Sequence, residues 1–176
     1  GLLKGMELVD ASKPYPSVIS VCSNLPRHVA ERQLKSAVGY LQQKGLKIQI
    51  EEALVEEAIS PGTSMLIYSV GERGPFIGSD SIGERGKPAE AVGLEAARIF
   101  VDEYFSPAPL DRHIGDMLVS LLFISSERSR FRVSRVTEHL LTNLHVSSLF
   151  TSRHYYISES ERGSSIVVIE AGETSN

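Results

Sequence analysis

The heptapeptide Thr137-Glu138-His139-Leu140-Leu141-Thr142-Asn143 holds the side chain best suited to covalent chemistry in this chain. Thr137 is placed to cap a helix, with His139 in its first turn. That turn carries unpaired N–H groups and partial positive charge, so it attracts phosphate. The same field favours the neutral imidazole that a nucleophile requires. His139 beside a bound phosphate is therefore a candidate nucleophile for nucleotidyl transfer. The other reading is a half-buried histidine in an ordinary amphipathic helix, the commoner case for an isolated histidine.

Other residues could serve such a site. In Asp111-Arg112-His113-Ile114-Gly115-Asp116, His113 and Asp116 are three apart and share a helix face. Asp116 could hold a metal or orient a nucleotide, or be a solvated carboxylate near a helix start. Arg128, Arg130, Arg132 and Arg135 form a basic run. Arg130 and Arg132 project from one strand face, which suits phosphate contacts and equally suits a charged edge strand that resists aggregation. Arg27, His28 and Arg32 open another helix against its dipole, a weak pointer to an anionic partner. Gly83-Glu84-Arg85-Gly86-Lys87 lacks the spacing of a Walker loop and reads as a helix entry. Glu51, Glu52, Glu56 and Glu57 read as a solvated strand end in preference to an acidic metal site. His145 and His154 read as structural or surface residues. There is no cysteine–histidine zinc pattern and no Ser-His-Asp arrangement.

The elements that must position these groups follow from periodicity. Residues 17–22 form a buried strand, with Cys22 inside it. A helix starts at Pro26 with Asn24 as its cap; Leu34, Ala37, Val38 and Leu41 make its buried stripe and Gly45 ends it. Strands are expected at 47–51, with Ile48 and Ile50 on one face, at 65–70, and at 76–78 after a turn at 71–74. Pro88 opens a helix whose stripe is Val92, Ala96, Ile99, Phe100 and Phe105. Ser106-Pro107-Ala108-Pro109 breaks that helix and marks a domain boundary. Leu110, Ile114, Met117, Leu118, Leu121 and Leu122 mark the next helix. A short strand around Phe131 and Val133 precedes the His139 helix. Residues 155–157 and 166–169 form a hairpin around Gly163, and 172–176 fray. The result is an α+β chain of two-layer α/β sandwich units, β-α-β-β-β-α over 13–105 and α-β-α-β-β from about 110 onward.

At 176 residues, 41% hydrophobic and 23% charged, the chain fits a globular class with one good core or two small ones. No apolar run is long enough to cross a membrane, and no membrane partner is expected. A single cysteine allows no internal disulfide and suits a reducing, cytoplasmic setting. The net charge of −4 argues against non-specific nucleic-acid binding by the whole surface but leaves room for a local basic groove.

Five segments matter together: Asn24-Leu25-Pro26-Arg27-His28-Val29-Ala30-Glu31-Arg32, Ser60-Pro61-Gly62-Thr63, Gly83-Glu84-Arg85-Gly86-Lys87-Pro88-Ala89-Glu90-Ala91-Val92-Gly93, Asp111 to Asp116, and the His139 stretch. In this order and spacing they resemble the C-terminal half of the RNA 3′-terminal phosphate cyclase family, over about residues 5–169. The resemblance implies a small inserted domain at 13–105, a last repeat of the large catalytic domain at 106–176, and a linker or strand of that domain at 1–12. It implies His139 as the histidine that takes AMP from ATP, with a divalent metal, Mg2+ by expectation. It places Asp116 and His113 near the nucleotide, with Asp116 as a metal contact, and Arg128, Arg130 and Arg132 as RNA contacts. The implied partners are an RNA with a 3′-phosphate end and the N-terminal half of the same enzyme. Two departures stand out: Met117 replaces a glutamine common in the family, and Ser125-Ser126-Glu127-Arg128 replaces a glycine-rich stretch. They favour the alternative, a non-catalytic relative serving RNA processing or ribosome assembly, whereas His139 opposes it.

Overall fold

A computed structural model describes residues 3–172 of the chain. They divide into two compact units, each with its own core.

The first unit, Lys13–Gly71 with Ile77–Phe105, is a four-stranded sheet covered by two helices. Its elements are β2 (Ser17–Ser23), α1 (Arg27–Gln43), β3 (Ile50–Glu56), β4 (Gly62–Val70), β5 (Phe76–Ile82) and α2 (Ala89–Phe105), β1 being the short strand of the other unit. The strand order is β3-β2-β4-β5. β2 and β3 run parallel, so they need the crossover that α1 supplies, while β2 and β4 are antiparallel. On β2, Val18, Ser20 and Cys22 face inward at period two. Val18 joins Leu41 of α1 and Ala96 and Phe100 of α2 in a core with Met65, Ile67 and Ile77. Gly93 lets α2 lie against α1, since a Cβ there would sit 2.1 Å from the Gln33 carbonyl oxygen. Gly45, at φ +82, ends α1: the Gly45 N–H donates to the Gln42 carbonyl and the Leu46 N–H to that of Leu41.

Several local expectations fail here for identifiable reasons. Asn24 is not the α1 cap. It takes a left-handed φ of 50 and its Nδ2 donates to the Ala58 carbonyl, leaving Pro26 at the cap position without a side-chain hydrogen bond. The strand expected at 47–51 lies at Ile50–Glu56, because pairing with β2 fixes its register from Ser17↔Ile50 onward. Most of the glutamate-rich segment is therefore the edge strand itself, and its charges blunt an otherwise open edge. β4 starts three residues earlier than expected and β5 runs four residues further. Ile99 and Phe105 are exposed at 37% and 51%; Ala97 and Val101 take their places on the buried side of α2.

The second unit comprises the described residues before Lys13, Glu72–Phe76, and those from Ser106 on. Its elements are β1 (Glu7–Leu8), α3 (Arg112–Ile124), β6 (Ser129–Val133), α4 (Glu138–Thr151), β7 (Tyr155–Glu159) and β8 (Ser165–Ile169). The order is β1-β6-β8-β7, with β1 parallel to β6 and the other pairs antiparallel. Leu110, Val119, Leu122, Phe131, Leu140 and Ile169 centre the core between sheet and helices. Arg153, 6% exposed, closes the C-terminal end of α3. Its guanidinium donates to the carbonyls of Leu122, Phe123, Ser125, Glu127 and Glu170. A cation thus satisfies the orphan acceptors of a helix C-terminus.

The α3 stripe also differs from expectation. Met117 and Leu121 point outward, and Gly115, Asp116, Val119, Leu122 and Phe123 form the buried side. The expected fraying of 172–176 lies outside the described residues for 173–176. Gly172 itself donates its N–H to the Ser126 carbonyl.

Candidate active site

Thr137 caps α4, its Oγ1 accepting from the Leu140 N–H at 2.9 Å. Glu138 follows in the first turn, complementing the dipole, and His139 is the second helical residue. His139 is exposed and, among the described residues, its imidazole has no hydrogen-bond partner. The ring is thus free to meet a ligand.

α3 begins in the same way. Asp111 accepts from the N–H groups of His113 and Ile114, both at 2.8 Å, so His113 is also the second residue of its helix and is exposed. An aspartate just before an apolar-periodic run, as Asp111 is, is a cap signal legible in sequence.

Asp116 is the residue whose role the structure sharpens most. It is 7% exposed, so it is no solvated carboxylate. The Thr137 hydroxyl donates to its Oδ1 at 2.6 Å, and its backbone carbonyl accepts from Asn143 Nδ2 at 3.0 Å. Asp116 therefore grips α4 on both sides of His139. It fixes the capping threonine two residues before the histidine and an asparagine four residues after it. Burial of this carboxylate follows from that partnership, since an unpaired charge there would be costly.

For a divalent metal, Asp116 is one carboxylate with one oxygen already engaged. Among the described residues no three His, Cys, Asp or Glu side chains gather as a metal site. Such a donor set fits a cation that arrives with phosphate ligands, as Mg2+ commonly does, and does not fit an all-protein cage. No glutamate of residues 51–57 joins such a cluster either.

Three arginines of the run, Arg128, Arg130 and Arg132, are not free. Arg128 lies 3.4 Å from a Glu170 carboxylate oxygen and bonds the Tyr156 hydroxyl, which holds its pKa above the ordinary value. Arg130 pairs with Glu7 at 3.0 Å and Arg132 with Asp10 at 3.1 Å. Arg130 and Arg132 do share one face of β6, opposite the buried Phe131. Their carboxylates come from β1 and the residues just after it, about 120 positions away, which is why the sequence run looks more basic than the surface is. The structure does not bring these arginines to His139 by any contact.

Residues 17–104 match the profile of the RNA 3′-terminal phosphate cyclase (RTC) insert domain. This is half of the chain. The chain belongs to the RNA 3′-terminal phosphate cyclase family. Curated relatives of that name agree. One from Pyrobaculum aerophilum is 42% identical over 134 residues, covering 76% of this chain and 38% of the relative. One from Desulfurococcus amylolyticus is 44% identical over 141 residues, covering 74% and 38%. One from Staphylothermus marinus is 36% identical over 159 residues, covering 85% and 44%. The matches thus span well under half the length of these relatives. The α+β fold of the cyclase family is the architecture described above. No helix among the described residues is long and apolar enough to cross a membrane.

Proposed function

We propose that this chain supplies the nucleophile of an ATP-dependent RNA 3′-phosphate cyclase, with His139 as the residue that carries AMP. The observation that supports it most is the exposed, unpartnered imidazole in the first turn of α4, whose cap is tied to buried Asp116. An imidazole nitrogen attacks the α-phosphorus of ATP. A P–N bond forms, the bond to the bridging oxygen breaks and pyrophosphate leaves. AMP then passes to the RNA 3′-phosphate, releasing the imidazole. The neighbouring 2′-hydroxyl attacks that activated phosphate, and AMP departs as the 2′,3′-cyclic phosphate closes. Adenylation converts a dianionic monoester, a poor electrophile, into one with a good leaving group. A divalent cation, Mg2+ by its usual pairing with triphosphates, would neutralise charge during both transfers. Asp116 holds the His139 helix in place and offers its second oxygen to that cation or to the nucleotide, beside His113. RNA contacts at Arg128, Arg130 and Arg132 would require phosphates to displace Glu170, Glu7 and Asp10.

We further propose that the N-terminal part of the enzyme is the partner of this chain. Met117, Leu121 and Ile124, at i, i+4 and i+7 of α3, are 72%, 52% and 70% exposed. Leu149 and Phe150 of α4 are 69% and 86% exposed. Apolar helix faces of this extent suit burial against another polypeptide surface. The curated relatives have more than half their length beyond the matched segment.

The test is incubation with α-labelled ATP and magnesium, with and without the N-terminal part of a family member, and mapping of any AMP adduct. AMP on His139, lost in a folded His139→Ala variant, supports the proposal. A folded chain that takes no AMP in either mixture moves the weight to a non-catalytic relative in RNA processing or ribosome assembly.

A further inference from the structure

A sheet covered by helices on one face commonly turns polar side chains to solvent on the other. The first unit departs from this. Its core fixes the inward positions, with Val18, Met65, Ile67 and Ile77 against the helices and Ser79 Oγ donating to the Ala96 carbonyl of α2. The alternate positions of each strand therefore point away from the helices. On the two central strands these carry Ile19 and Val21 of β2, and Leu66, Tyr68 and Val70 of β4. Leu66 and Val70 are exposed and the other three are half-buried. A contiguous apolar patch of this kind marks an interaction surface.

The edge strands differ. Glu52 and Glu56 stand outward on β3 and Asp80 on β5. All three are exposed, and none pairs with a cation among the described residues. No lysine or arginine occupies an outward position of these four strands. The order β3-β2-β4-β5 thus sets an apolar stripe between carboxylates on both sides. The two edge strands lie three strand spacings apart, about 14 Å. An α-helix with its side chains is about 10–12 Å across. A helix laid along β2 and β4 would rest its apolar stripe on Val21 and Leu66 and bring its flanks over Glu52 and Asp80. Cationic flanks match those carboxylates. RNA phosphates would be repelled by them, and a second copy offering the same face would oppose like charges.

We propose that the outer face of this sheet docks an amphipathic α-helix of a separate protein, with an apolar stripe and lysine or arginine on both flanks. The four strands and two helices already account for the insert-domain match, residues 17–104, so the covering helix comes from another polypeptide. The site does not rest on the His139 reaction, and it holds whether or not His139 takes AMP.

The test uses the full chain and a helical peptide about five turns long, with leucine along one stripe and lysine on both flanks. A second peptide keeps the leucines and carries glutamate on the flanks. The backbone amides of Ile19, Val21, Leu66 and Val70 are followed by NMR, with those of α3 and α4 for comparison. The lysine peptide should shift the β2 and β4 amides with a dissociation constant at or below about 1 mM. The glutamate peptide should bind about tenfold more weakly. Glu52→Lys combined with Asp80→Lys should reverse that order. Leu66→Lys, at an exposed position, should weaken the lysine peptide about tenfold while the other amides show the fold intact. The proposal is overturned if the two peptides bind equally, if the shifts fall on α3 and α4 alone, or if charge reversal in the folded variant leaves the order unchanged. It is equally overturned if the N-terminal part of a family member protects these amides from exchange, or if sedimentation shows a dimer that Leu66→Lys dissolves. The face would then belong to the enzyme itself or to a second copy.

Discussion

Replacing Arg153 with alanine should unfold the C-terminal end of α3 before anything else in its unit. The guanidinium offers five N–H groups and makes six contacts to five carbonyls, Nη1 sharing its two protons among three of them and Glu170 receiving two. Three of these contacts, to Leu122, Phe123 and Ser125, are buried, and those to Glu127 and Glu170 are partly buried. A buried acceptor stripped of its donor costs about 1–3 kcal/mol, so the three buried carbonyls sum to about 3–9 kcal/mol. Water entering the vacated space, and relief from burying a cation, offset part of this. A net loss of about 3–5 kcal/mol remains, near the upper end for a single substitution. Arg153→Lys keeps the charge but presents three protons from one point and cannot span the five acceptors, so about 1–3 kcal/mol is expected. Hydrogen exchange localises the effect: protection should fall at residues 119–127 and 165–170, while the amides of α1 and α2, which Arg153 does not touch, serve as the reference. Urea unfolding of the same variants supplies the free energy. A loss under about 1 kcal/mol for Arg153→Ala, or equality of Arg153→Lys with the parent, would refute the assignment of Arg153 as the cap of α3.

Three further outcomes are expected. Gly93→Ala should destabilise the first unit by about 1–3 kcal/mol despite alanine's better helix propensity, because its Cβ would meet the Gln33 carbonyl; unchanged urea stability would contradict that packing. Thr137→Val should cost about 1–2 kcal/mol and raise exchange in the first turn of α4, since it loses both the bond to the Leu140 N–H and that to Asp116, whereas Thr137→Ser should restore both. Burial is the main cause that lowers the Lys13 pKa from 10.5 to about 8, with Glu103 acting against it. The unfolded chain then binds more protons between pH 8 and 10.5, so stability should rise with pH through that window. Lys13 is only partly buried, so solvent screening limits the gain to about 1 kcal/mol. Lys13→Met should flatten the rise between pH 8 and 9.5 in urea titrations, and an unchanged slope would show that another group causes it.

The sequence carried what local patterns encode. The Val- and Ile-rich run of residues 17–22 marks a buried strand, because β-branched side chains fit a covered, pleated surface. The spacing of Ala37, Val38 and Leu41 and the glycine at 45 specify a helix and its end. Thr137 is legible as a cap because a cap needs only residues within one turn of itself. The element order and the family followed from such signals.

The tertiary structure alone decided which face of a helix is covered and which charges are spent. Met117 and Leu121 are apolar and periodic, yet they lie outward, because the sheet meets α3 on the side of Val119 and Leu122. Asp116 is buried against its type because Thr137, 21 residues later, supplies its hydrogen bond. Arg130 and Arg132 look free in sequence but are met by Glu7 and Asp10 through the pairing of β1 with β6. The register of β3 came from β2. In each case the deciding partner is distant in the chain. Propensity and periodicity act over a few residues, whereas burial and charge pairing are properties of the folded neighbourhood.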